Sequence, residues 1–93
     1  MKHYIIVKWK DPAAMAGKAG EIQELFNDTL SIEGINAVTV HPSCSDRSNR
    51  HDLMIEMDMD PAALPAYDAC TPHKEWKKNY GEFILQKTIF DCE

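Results

Sequence analysis

Several features are scarce in this sequence, and each scarcity closes off a class of function. Apolar runs are short: stretches such as Tyr4 to Val7 fall far below the roughly 20 residues that a membrane-spanning helix needs. The N-terminus leads straight into that run without a signal-peptide cleavage pattern, so a cytoplasmic protein without a membrane partner is expected. Basic residues are outnumbered, 10 Lys and Arg against 15 Asp and Glu, for a formal charge of −5. They are scattered except for Lys74, Lys77 and Lys78, which read as one solvated helix face, with anion binding as a minor alternative, so no nucleic-acid partner is expected. Cys44, Cys70 and Cys92 are odd in number and form no CxxC pair, which suits reduced structural thiols rather than a disulfide framework. His3, His41, His51 and His73 lack the spacing that puts two ligands on one helical face. No metal and no cofactor is expected.

What is present is enough for one core. At 93 residues with 44% hydrophobic side chains, the chain is expected to form a single domain over residues 1–93. A domain this small leaves much of its surface exposed, and pairing with a second copy is a common remedy.

The pattern along the chain alternates between two periods. His3 to Lys10 has period two, with His3, Ile5, Val7 and Trp9 on one face and Tyr4, Ile6, Lys8 and Lys10 on the other, and predicts a strand. Asp11-Pro12 ends it, and Met15, Ala19, Ile22, Leu25, Phe26 and Leu30 make a helical stripe that predicts a helix over 13–30, weakened at its start by Gly17 and Gly20. Glu33-Gly34 stops that helix. Ile35 to His41 predicts a second strand, Ser43 to Arg50 a flexible polar loop, and Leu53 to Met59 a third strand. Asp60-Pro61 starts a short helix to about Ala69 that Pro65 should shorten or bend. Thr71-Pro72 starts another to about Tyr80, with Gly81 as its stop, and Gln86 to Cys92 predicts the last strand. The order is βαββαβ with a split second helix: an α+β, ferredoxin-like domain with a four-stranded antiparallel sheet and helices on one face. The bare face, carrying Tyr4, Ile6, Val38 and Val40 or their alternates, needs a cover, and a homodimer through the sheet faces supplies one.

The segment Lys2 to Asp11 resembles the first strand of the stress-responsive dimeric α/β-barrel family. So do Glu33-Gly34-Ile35 at the second strand, Asp52-Leu53 at the third, Tyr67 to His73 in the centre and Ile89-Phe90-Asp91 at the end. The likeness departs from the family pattern at Cys70 and Pro72, where the family often carries histidine and an earlier proline. The resemblance implies a dimeric α/β barrel whose members include stress-induced proteins of undefined activity and a plant polyketide cyclase. That cyclase promotes an aldol-type ring closure with a tyrosine and a histidine, which correspond by position to Tyr67 and His73. The wider superfamily also includes haem-degrading and antibiotic monooxygenases, a reading that rests on fold analogy alone.

Independently of the resemblance, His73, Trp76 and Tyr80 share one helical face, and His3 shares a strand face with Ile5, Val7 and Trp9. If these faces meet, two imidazoles and several rings enclose an apolar space with a few convergent polar groups, the usual form of a small-molecule pocket. A small apolar or aromatic ligand is expected there, with His3, Ile5, Val7, Trp9, Phe26 and Trp76 as ligand-binding residues. The catalytic alternative is a cyclase, isomerase or lyase in which His73 is a general base and Tyr67 a hydrogen-bond donor to a carbonyl or enolate, with His3 orienting. Against it stands a structural reading: His73 bonds the start of a helix, and Tyr67 and the tryptophans pack the core.

Overall fold

The alternation at the N-terminus becomes a central strand because both of its edges are paired. The computed structural model describes residues 1–93. In it β1 (Lys2–Trp9) lies between β3 (Leu53–Met59) and β4 (Ile84–Cys92), and β2 (Ile35–Pro42) forms the far edge, giving the order β2-β3-β1-β4. Every neighbouring pair is antiparallel. The helices α1 (Ala19–Asn27), α2 (Leu64–Ala69) and α3 (Thr71–Tyr80) complete the ferredoxin-like α+β fold. None of them is long and apolar enough to cross a membrane.

Burial follows the period. In β1 and β3 every second residue is buried, His3, Ile5, Val7 and Trp9 in one and Leu53, Ile55, Met57 and Met59 in the other. These meet Ile22 and Phe26 of α1, Tyr67 of α2, and Trp76 and Tyr80 of α3 in one core. Each such side chain removed from water contributes about 1.5 to 3 kcal/mol before entropy is counted. Phe26 and Trp9 both meet Trp76 edge-on, at ring-centroid distances of 5.4 and 6.4 Å, the geometry that aromatic quadrupoles favour.

The helices meet their sequence expectations to different degrees. The predicted helix over 13–30 is regular only from Ala19 to Asn27: residues 12–17 form turns, and Gly17 has φ +80, a left-handed conformation that a continuous right-handed helix does not contain. Met15 is nevertheless buried, so the apolar stripe reported packing rather than helix. Gly81 does not end α3 in a left-handed cap; its φ is −56 and the chain runs on through a 3-10 turn, Gly81–Phe83. The Pro61 to Ala69 helix is short as expected: it is α-helical only from Leu64, after a 3-10 turn over Pro61–Ala63, and Pro65 stands in its first turn, where no amide donor is required. The 43–52 connection is tethered: the Lys8 ammonium donates to the Ser48 and Arg50 carbonyls at 2.8 and 2.9 Å, and the Asp52 carboxylate accepts from the Trp9 amide at 2.7 Å.

The cross-strand register settles the bare face. Val38 and Val40 lie opposite Met57 and Ile55 and therefore on the helix side, where both pack against the core. Their alternates Ala37, Thr39 and His41 take the open side with Tyr4, Ile6, Met54, Glu56, Asp58 and Phe90. This face mixes apolar centres with charge: Lys2 lies 3.6 and 3.7 Å from the Glu56 and Asp58 carboxylates, and His41 lies 3.1 Å from Glu56.

Candidate functional site

A cavity of about 300 Å³ opens between the sheet and the split helix. Its floor is Ile5 and His3 of β1, and its roof is Leu64, Tyr67 and Asp68 of α2 with His73, Trp76 and Lys77 of α3. Its side is Lys87, Ile89 and Asp91 of β4. Those three β4 residues pair in register with Val7, Ile5 and His3, so they face the helix side of the sheet. Because β4 is the outermost strand, Ile89 remains 48% exposed, and the cavity is open along that edge.

Tyr67 is the most unusual group in it. The residue is 1% exposed and its hydroxyl is shielded from water, yet it has no hydrogen-bond partner. Such an orphan costs about 1 to 3 kcal/mol, and buried polar groups are rarely left this way. Burial pushes the hydroxyl's pKa well up, with neighbouring Cys70 and Asp68 adding to the effect, so the group is a neutral donor throughout the physiological range.

Two imidazoles flank it. The His3 ring meets the Tyr67 ring edge-on at 5.6 Å, and the His73 ring lies 4.6 Å away at an interplanar angle of 34°. Each imidazole has its tautomer set by an acceptor. His3 Nδ1 donates to the Asp91 carboxylate at 2.5 Å, and His73 Nδ1 donates to the Asp68 carbonyl at 3.1 Å. In both rings Nε2 is left free, the form in which a neutral imidazole accepts a proton. The two differ in access: His3 is buried and held by a carboxylate, whereas His73 is half-buried.

Of the residues singled out from sequence, the cavity brings together His3, Ile5, Tyr67, His73 and Trp76. Val7, Trp9 and Phe26 do not line it. Val7 is wholly covered by the core, Phe26 sits behind Trp76, and Trp9 borders a separate shallow groove with Met15 and Leu53. The spacing that aligned them with His3 and Trp76 was that of the core face as a whole, of which the cavity occupies one end. Asp91, Asp68 and Lys87 entered no candidate set, and Lys77 entered only with Lys74 and Lys78, as a solvated face with anion binding as a minor alternative. Asp91 could have been found from topology: antiparallel pairing of the first and last strands sets a residue near the start of one opposite a residue near the end of the other. No group of three or more His, Cys, Asp or Glu side chains is placed to hold a metal ion. All three cysteines are free thiols.

No family model matches the sequence, and no curated protein matches it. Solved structures do. A dimeric ferredoxin-like protein of unknown function from Jannaschia sp. superposes with a TM-score of 0.78 at 17% identity, covering 99% of this chain and 96% of that one. A Dabb-family protein with a ferredoxin-like fold from Mesorhizobium loti gives 0.62 at 15% identity, covering 99% and 93%. The hydroxynitrile lyase of Passiflora edulis gives 0.70 at 12% identity, covering 96% and 87%. The chain thus has the fold of the dimeric ferredoxin-like, Dabb-type proteins.

Proposed function

We propose that the protein binds a small apolar or aromatic carbonyl compound in this cavity and moves a proton on it, as a cyclase, isomerase or lyase does. The observation that carries this reading is Tyr67, whose ring lies between two imidazoles beside an open cavity and whose buried hydroxyl has no partner. A carbonyl oxygen is the partner that hydroxyl lacks, and its hydrogen bond strengthens as the oxygen gains charge on enolisation. His73 is the general base: Nε2 takes the α-proton, and its half-exposed position lets the proton pass on to water. His3, held by Asp91, orients the substrate from the opposite side. Ile5, Leu64 and Trp76 supply the apolar wall. A cavity of about 300 Å³ stands at the low end of the range for small-molecule sites and suits a single ring better than a macrocycle, so a haem monooxygenase reading is not carried forward.

The working unit we propose is a homodimer joined through the open sheet face. The dimeric state of similarly folded proteins supports it, as do the exposed Phe90 and the mixed charges on that face. Light scattering at micromolar concentration tests the assembly; a monomer there sinks it.

The catalytic test is exchange of the methyl protons of acetophenone in deuterated buffer, followed by NMR. The protein should accelerate exchange, and Tyr67→Phe and His73→Gln should each lower the rate by about 10²-fold or more. His3→Gln should act mainly on KM. Exchange no faster than in buffer, or unaffected by either of the first two substitutions, refutes proton transfer at this site.

A further inference from the structure

Resting on that reading of the cavity, we infer that its ligand is an anion: an aromatic or apolar carboxylic acid whose carbonyl end lies at Tyr67 and whose carboxylate end lies between Lys77 and Lys87.

The cavity is polar at both ends and apolar in the middle. On the β1–β4 floor the pairs run His3 with Asp91, Ile5 with Ile89, and Val7 with Lys87. Lys87 therefore stands four residues along β4 from Asp91, on the same face and about 13 Å away. The helix above follows the same direction. His73, at the start of α3, stacks on Tyr67 beside His3, and Trp76 meets Trp9 at the far end of β1. Lys77 thus lies about 6 Å further along the helix than His73, toward the Lys87 end. Both residues line the cavity, Lys77 from α3 and Lys87 from β4.

Their lack of partners is the second observation. The close ion pairs of the chain engage Lys2, Lys18, His3 and His41, and none engages Lys77 or Lys87. Neither lysine donates a side-chain hydrogen bond, whereas Lys8 is held by two carbonyls. Of the two carboxylates at this cavity, Asp91 is taken by His3, while that of Asp68, whose backbone carbonyl contacts His73, has no close cation and lies near Tyr67, at the end away from the lysines. Two unpaired positive charges at one end, an unpaired hydroxyl donor at the other and an isoleucine pair with tryptophan between them match one ligand plan: anion, ring, carbonyl.

The test uses para-acetylbenzoate, which has that plan, and its neutral analogue para-acetylbenzamide, with binding to each followed by NMR titration of the full chain. The acid should bind about tenfold tighter than the amide, the sum expected of two partly exposed charge contacts. The double variant Lys77→Gln/Lys87→Gln should lose that preference, chiefly by weakening binding of the acid, and added salt should narrow the preference in the unsubstituted protein. Equal affinities, a preference that survives the double substitution, or no binding of either compound at millimolar concentration overturns the inference. Acetophenone exchange without an acid preference overturns the anion end alone. An acid preference without exchange supports the anion end and removes the catalytic reading.

Discussion

Replacing Tyr67 by phenylalanine should make the protein more stable while disabling the site. The residue is 1% exposed and its hydroxyl has no partner, so in the free protein the hydroxyl has lost its water without gaining a hydrogen bond. Relief of that desolvation is worth about 1 to 3 kcal/mol. Phenylalanine keeps the ring that packs between His3 and His73, so no cavity term offsets the gain. Taking the lower figure, about 1 kcal/mol, a domain of this size should melt about 4 to 8 °C higher. Urea and thermal unfolding at a fixed protein concentration measure it, the fixed concentration being needed because any self-association shifts apparent stability. The same variant should lose acetophenone exchange. Stability gained as function is lost is the mark of a polar group held ready for a ligand. A Tyr67→Phe protein that is less stable than the parent by about 1 kcal/mol would show that the hydroxyl already has a partner in the free state, and the argument built on it would fail.

Four other outcomes are expected. Ile55→Ala, at a fully covered position on the central part of the sheet, should cost about 2 to 5 kcal/mol in urea unfolding; a loss below about 1 kcal/mol contradicts the packing described. Gly34→Ala should destabilise by more than about 1 kcal/mol, because Gly34 has φ +94 and an added Cβ would come within 3.1 Å of the Ala63 Cβ and 3.2 Å of the Asp60 Cβ. Gly20→Ala meets open space within α1 and should stabilise by about 0.5 to 1 kcal/mol, and the same melts read both glycine variants. Alkaline pH should destabilise the fold: burial raises the folded-state pKa of Tyr67 and pushes that of Tyr80, beside Glu21, up to about 12. The unfolded chain then loses these protons first, so stability is intact below about pH 10 and falls as pH rises above it. The slope should be shallower in Tyr67→Phe and Tyr80→Phe, and an unchanged slope in both refutes the assignment.

The parts of the site legible in the sequence were those set by period. Alternation placed His3 and Ile5 on the buried side of β1, and helical spacing placed His73 and Trp76 together on α3. The Thr71-Pro72 start of that helix followed from local chemistry, which does not depend on distant contacts, whereas its end at Tyr80 came without the left-handed Gly81 cap that predicted it. Asp91 and Lys87 were not legible in this way, because their role comes from pairing with a strand at the other end of the chain: the His3 to Asp91 bond spans 88 residues. Val7, Trp9 and Phe26 show the converse. A period identifies a buried face, but which stretch of that face is packed solid and which is left open depends on where the helices end. The cavity lies where α2, only six residues long, meets the largely exposed outer strand β4.

That placement also accounts for the price of the site. The costly groups, an unpaired hydroxyl and a buried histidine, lie where the central strand meets the outer one, away from the solid packing around Ile22, Phe26 and Met57. The edge strand contributes Asp91, which satisfies the buried imidazole, and Lys87, which stays in water. A charged residue in either role would be far more costly on β3, which is buried along one whole face and paired on both edges. Putting β4 at the edge lets one strand carry a carboxylate and an ammonium on the same face as the core, so one four-stranded sheet can hold both a closed core and an open polar site.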